Sequence, residues 1–256
     1  YRTAGLGEAL LDLGHTVTDL GNLSPASNAL AEDDHLHMLP EVVGWTETLM
    51  EAAQTQAQNG MPIFLGGDHA LAAGTTVGMA AHWAKQDRPF FVLWLDAHSD
   101  IHTPQSTDSG NLHGTPVGYI TGRPGFDMFP PAAATVDPNN ICMIGLRSVD
   151  PAEHAFLQEV NVDVVDMRMI DETGIATPLA AFLERVKPST VCCMCLWMST
   201  SWIRALPPLW GPPFQVVPPC AKAIWSWRCC QTAALLARLI WWNSTPSWMT
   251  GAKLRI

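Results

Sequence analysis

Three short runs, MPIFL (61–65), PFFVLWL (89–95) and ICMIGL (141–146), carry no charged position, and each runs directly into residues with a charge or a titratable ring. A strand with one wet face alternates apolar and polar residues, so strands that are apolar throughout must be covered on both faces. The stretches between them have helical spacing. AGLGEALLDLGHTVTDLGNL predicts an amphipathic helix with Leu6, Leu10 and Leu13 on one face, a stop at Gly14 and a short strand over 15–20. LPEVVGWTETLMEAAQTQAQNG predicts a second helix, with Pro40 at its start and Gly60 at its end. ALAAGTTVGMAAHWAKQ, PAEHAFLQEV and TPLAAFLERV predict further helices, and VDVVDMR a strand. Doubly buried strands alternating with helices imply a three-layer α/β/α domain around a parallel sheet.

In such sheets ligands bind beyond the carboxyl ends of the strands. The three runs end in GGDH with His69, in DAHSD with Asp96, His98 and Asp100, and in Arg147 to Asp150. If the chain stays extended after 95, Asp96, His98 and Asp100 share one face and converge. Such a triplet alone reads most simply as a solvated turn or helix cap. A second strand ending in Gly-Gly-Asp-His, whose glycines permit a tight turn, gives it company. Two carboxylates and imidazoles form a hard, anionic donor set that favours Mn²⁺ over Zn²⁺. Shared carboxylates suggest two metals about 3.5 to 4 Å apart.

The formal charge of −10 and the lack of any Lys/Arg run exclude nucleic acid and anionic membrane as expected partners and favour a small polar or cationic substrate. No secretory pattern opens the chain and no 18-residue apolar run is present, so the expected location is the cytoplasm.

GGDH (66–69), DAHSD (96–100), SGNLHGTP (109–116) and GLRSVDPAEH (145–154) together resemble the ureohydrolases, and arginase among them, over about residues 1–190. The resemblance implies an arginase-like fold and hydrolysis of L-arginine to L-ornithine and urea by a metal-bridged hydroxide at a two-manganese site. It implies that His69 and His98 ligate different metals, that Asp96 bridges, and that Asp100 is a further ligand. His113 is implied as the proton shuttle, Ser109 and Asn111 as binders of the substrate α-carboxylate, and Asp150 with Glu153 as binders of its α-amino group. His102 stands where the family often has Asn as a substrate contact; an imidazole can still donate a hydrogen bond there. A trimeric or hexameric homo-oligomer is implied too. Plainer readings exist: His113 as a loop histidine, Asp150 as cap of the helix opening at Pro151, Ser109 and Asn111 as turn residues. His15, His35, His37 and His154 are expected at the surface or in caps.

The resemblance fails late in the chain. A third metal motif, roughly Ser-x-Asp-Val-Asp-x-x-Asp-Pro, and a downstream Glu have no counterpart. After Glu184, 72 residues contain no Asp or Glu but hold eight of the eleven Trp and six of the seven Cys. Trp is always TGG, and a G followed by the AT of Met or Ile reads GAT, so Trp197-Met198 and Trp202-Ile203 each encode an aspartate one frame over. Residues 191–256 are therefore read as an out-of-frame translation following a slip near Val191. Poor order and aggregation through exposed Trp are expected there. Cys192, Cys193, Cys195, Cys229 and Cys230 lack zinc-site spacing, and ALLARLIWW is too short and too charged to span a bilayer. By the same resemblance, the chain is expected to enter after the family's first strand, as a fragment.

Two alternatives to arginase stand. One is another ureohydrolase, agmatinase or formimidoglutamase; the other is a non-catalytic remnant that binds at most one metal weakly.

Overall fold

Six consecutive buried residues, Phe90–Leu95, form an interior strand, and their alternation sorts the core into two layers. Phe90, Val92 and Trp94 face one hydrophobic cluster, which also holds Val77, Trp83 and Val43. Phe91, Leu93 and Leu95 face the other, with Val165, Phe182 and Val186. The neighbouring strand repeats the division: Ile141 and Met143 on the first side, Cys142 and Ile144 on the second. A sheet with helices on both faces follows directly from that side-chain period of two.

The computed structural model describes residues 2–3 and 5–186, together with the backbone of three later strands. In chain order the elements are α1 (Leu6–Asp12), β1 (Thr16–Thr18), α2 (Leu39–Gln56), β2 (Met61–Gly66), α3 (Leu71–Ala84), β3 (Phe90–Leu95), α4 (Pro116–Ile120), β4 (Ile141–Leu146), α5 (Pro151–Glu159), β5 (Asp163–Asp166), α6 (Met167–Thr173), α7 (Ala176–Val186), β6 (Cys192–Met198), β7 (Lys222–Arg228) and β8 (Lys253–Arg255). The sheet order is β1-β8-β2-β7-β6-β3-β4-β5. Every neighbouring pair is parallel except those made by β7, which runs against both β2 and β6. The expected poor order, the cysteine side chains and the exposed Trp of 191–256 lie outside the described residues, save for the three strand backbones.

Several elements differ from expectation in ways that have physical causes. The strand at 15–20 contracts to three residues, and His15, expected at the surface, is buried at 6 % exposure. Of the three leucines placed on the inner face of α1, Leu10 is buried while Leu13 is 45 % exposed, because the helix stops at Asp12. Helix α2 ends at Gln56, short of Gly60. Helix α6 has no apolar periodicity to announce it; the Asp166 side chain starts it by accepting a hydrogen bond from the Met169 amide at 2.8 Å. Among the described residues, no helix is long and apolar enough to cross a membrane.

Candidate metal centre

Strands β2 and β3 both end just before the residues of interest, so a rigid sheet presents their loops at one edge. After β2 the chain turns tightly: a Cβ on Gly66 would lie 2.3 Å from Leu71 Cδ2. The turn is closed by Asp68, which accepts from the Ala70 amide at 2.8 Å, and by the His69 carbonyl, which accepts from the Ala72 amide at 2.9 Å. His69 is left 2 % exposed, its ring packed on Trp94 with centroids 4.6 Å apart.

Beyond β3 the chain does not stay extended. The Asp96 carboxylate accepts from the Ala97 and His98 amides at 2.6 and 3.2 Å, and the Ala97 carbonyl accepts from the Arg147 and Ser148 amides. Asp100 adopts a left-handed backbone, φ 48°. The expectation that Asp96, His98 and Asp100 share one face is thereby corrected. Asp96 and Asp100 turn inward beside His69, and the His98 side chain is 49 % exposed. A non-glycine residue held at positive φ costs free energy that its surroundings must offset, and such residues cluster at functional sites.

The resulting cluster is compact. His69 Nδ1 lies 2.6 Å from Asp100 Oδ2 and 3.3 Å from Asp96 Oδ2. One ligand atom from each of the three lies within 4.8 Å of the others, and all three residues are buried. The other oxygen of Asp96, Oδ1, is 3.3 Å from His98 Nδ1. The two oxygens of Asp96 therefore face two different imidazoles. Burial opposes ionisation of Asp96, but the hydrogen bond from His98 and the charges of His69 and His98 outweigh it and hold its carboxyl below the usual range. The same bond raises the His98 pKa against the opposing effect of its partial burial. His69 Nε2 is buried with no hydrogen-bond partner among the described residues. Two buried carboxylates beside an imidazole form a hard oxygen-rich donor set that fits a divalent cation, with His98 extending it on the far side of Asp96.

The remaining predicted residues lie on the loops after β3 and β4 and in the first turn of α5. His102 Nε2 is 2.7 Å from Asp150 Oδ2 and its Nδ1 is 3.0 Å from Ser106 Oγ. Asp150 caps α5 with its other oxygen, accepting from the Glu153 amide at 2.9 Å, while Glu153 accepts from the Asp150 amide at 3.1 Å. This is a capping box. Desolvation of Asp150 is outweighed by these bonds from Glu153 and His102, and its carboxyl falls below the usual range. Glu153 is 7 % exposed, and its second oxygen accepts from Ser99 Oγ at 2.7 Å, so it stands behind the more exposed Asp150. Ser109 Oγ accepts from the Asn111 amide at 3.3 Å. His113 is half exposed, with Nδ1 3.7 Å from Asp68 Oδ2.

Sequence reasoning did not single out Ser99, Ser106 or Asp68. Ser99 and Asp68 lie inside the quoted DAHSD and GGDH motifs, but their roles depend on partners 54 residues away in one case and across the sheet edge in the other. Arg123 is another such residue: its guanidinium lies over the Phe156 ring, 3.4 Å from the centroid, and donates to the Ile101 carbonyl.

Fold and site together define an α/β protein with a candidate cation centre at the carboxyl edge of its sheet. The Arginase family model matches residues 2–196, and the chain belongs to that family. It is 55 % identical over 190 residues to an arginase of Brucella melitensis, covering 73 % of this chain and 62 % of that protein. An arginase of Agrobacterium fabrum is 49 % identical over 189 residues, covering 73 % and 58 %. The solved structure of an arginase from Bacillus caldovelox aligns with a TM-score of 0.63 at 28 % identity, over 75 % of this chain and 65 % of that one. The chain thus spans less than two thirds of the length of these relatives.

Proposed function

We propose that this site hydrolyses L-arginine to L-ornithine and urea with two Mn²⁺ held by His69, Asp96, His98 and Asp100. The observation that carries the reading is Asp96, whose two oxygens face His69 and His98 separately, so that these residues, with Asp100, would hold the metals. When bound, such a metal pair lowers the pKa of a water molecule to near neutrality. The chain's own residues do the rest. Ser109 and Asn111 bind the substrate α-carboxylate, and Asp150, set by Glu153 and steadied by His102, receives the α-amino group. Water adds at the guanidinium carbon, the bond to the side-chain nitrogen breaks, and His113 delivers a proton to the departing amine. Asp68 Oδ2 lies 3.7 Å from His113 Nδ1 and faces the ring from the neighbouring loop.

Four ligands are few for two dications, and the missing acids bear on the late part of the chain. We infer a reading-frame slip near Val191. Strand β6 runs parallel to β3 on its β2 side, with Trp197 opposite Leu95. An aspartate encoded across Trp197 and Met198 would then fall beside Asp96, which supports the slip. Resequencing the DNA for 187–203 tests it; an intact printed frame overturns it and favours the non-catalytic remnant. For the activity, rates on arginine and agmatine are compared alongside Mn²⁺ content. Turnover of arginine well above agmatine, with about two Mn²⁺ per chain, is expected. Equal or greater turnover of agmatine would reject arginase, and no more than one weakly held metal would favour the remnant. The reading extends to a cytoplasmic homo-oligomer, trimeric or hexameric, which sedimentation would check.

A further inference from the structure

The loop that carries Ser109, Asn111 and His113 is held from outside by a segment far away in sequence. Residues 33–38 lie across it just before α2. The Asp33 carboxylate accepts from the His35 and Leu36 amides at 2.8 and 2.7 Å, which folds the segment into a tight turn. Leu36 plugs into the main core at 4 % exposure, and the turn ends at Met38 in a left-handed conformation, φ 55°. On either side of that plug the turn grips the loop. His35 Nε2 lies 2.7 Å from the Thr107 carbonyl oxygen; a carbonyl only accepts, so Nε2 carries the hydrogen. The His37 amide donates to the Gly110 carbonyl at 3.0 Å. Contact is close enough to require glycine: Gly110 has φ 70°, and a Cβ there would lie 1.8 Å from the His35 carbonyl oxygen.

We propose that residues 33–38 form a strap that positions the substrate loop, and that the His35 side chain is its specific latch. The strap is anchored through Leu36, and it adds a second hold on a loop that Leu112, 3 % exposed, also ties to the core. Around Asn111 the loop's own bonds are local, the 3.3 Å contact of the Asn111 amide with Ser109 Oγ and the 3.2 Å contact of the Gly114 amide with the Asn111 carbonyl, and further on the Gly114 carbonyl accepts from the His102 amide at 3.1 Å. His35 is thus a positioning residue for Ser109 and Asn111, a role that rests on the proposed arginine-binding function of that loop. The latch itself does not depend on that function.

Hydrogen exchange on the full-length chain tests the latch, comparing His35→Ala, His35→Gln and His37→Ala. Loss of one hydrogen bond is expected to accelerate exchange of the Asn111 and Gly114 amides about fivefold in His35→Ala. The α3 amides should be unchanged. His35→Gln, whose amide can still donate to Thr107, is expected to restore protection, and His37→Ala to leave it intact because only its backbone is used. No acceleration in His35→Ala, acceleration of α3 to the same degree, or a glutamine variant as fast as alanine would each overturn the proposal. In parallel, His35→Ala is expected to raise the KM for arginine about fivefold with kcat nearly kept. If no variant turns over arginine while the exchange contrast holds, the function fails and the strap stands; if KM and kcat fall together without the contrast, the strap fails.

Discussion

Tyr119 shows how a single buried residue registers its surroundings. Its ring packs against Phe126 and Phe129 at 5.4 and 5.3 Å, its hydroxyl donates to the Pro130 carbonyl at 2.6 Å, and burial pushes its pKa up to about 12. The sign of the consequence is definite. Between the ordinary value of 10.0 and about 12 the unfolded chain releases a proton that the folded one keeps, so stability falls as pH rises through that window, by up to about 2–3 kcal/mol. Absorbance titration near 295 nm checks this. With only two tyrosines in the sequence, Tyr119 is expected to ionise about two pH units after an ordinary phenol; native ionisation near 10 would contradict the burial argument. The candidate ligands were more legible than this: His69, Asp96 and Asp100 stand just after apolar runs, where strand ends place chemistry. That His98 turns outward was not legible, because the bend depends on amides of residues 147 and 148 and on the positive φ of Asp100.

At the scale of elements, α2 and α3 pack with their backbones close together. A Cβ on Gly74 would meet the Thr46 carbonyl oxygen, and one on Gly78 the Met50 carbonyl oxygen, each at 2.3 Å. Backbone cannot yield as a flexible side chain can, so Gly78→Ala is expected to destabilise the protein by about 1–3 kcal/mol despite alanine's better helix propensity. Urea denaturation measures it, and an unchanged or raised midpoint would show that the helices can separate at no cost. Helix α5 was readable because its capping box is written locally as Asp-Pro-Ala-Glu. The strap at 33–38 was not, since its contacts run to residues more than 70 positions away.

For the whole molecule, the candidate cation site and the sheet edge are one unit: its residues follow β2 and β3, and Phe64 of β2 packs against the cluster that holds Val92 and Trp94 of β3. Mn²⁺ that binds only the folded chain is expected to stabilise it by about 2.7 kcal/mol at a hundredfold excess over Kd, with reversal by chelator. An unchanged thermal midpoint at millimolar Mn²⁺ would remove the case for a preformed site. The layered architecture was written in the chain, since strands without a polar position leave no alternative to burial on both faces, and so was the place of the candidate cluster at their ends. The sequence also exposed the break in composition after Glu184. Long-range packing set which oxygen of Asp96 faces which histidine, that Glu153 stands behind Asp150, and that β6 lies in register beside β3. Patterning reports how often a residue must be buried; which groups meet across a buried edge depends on turns, crossovers and backbone signs that no local run of side chains encodes.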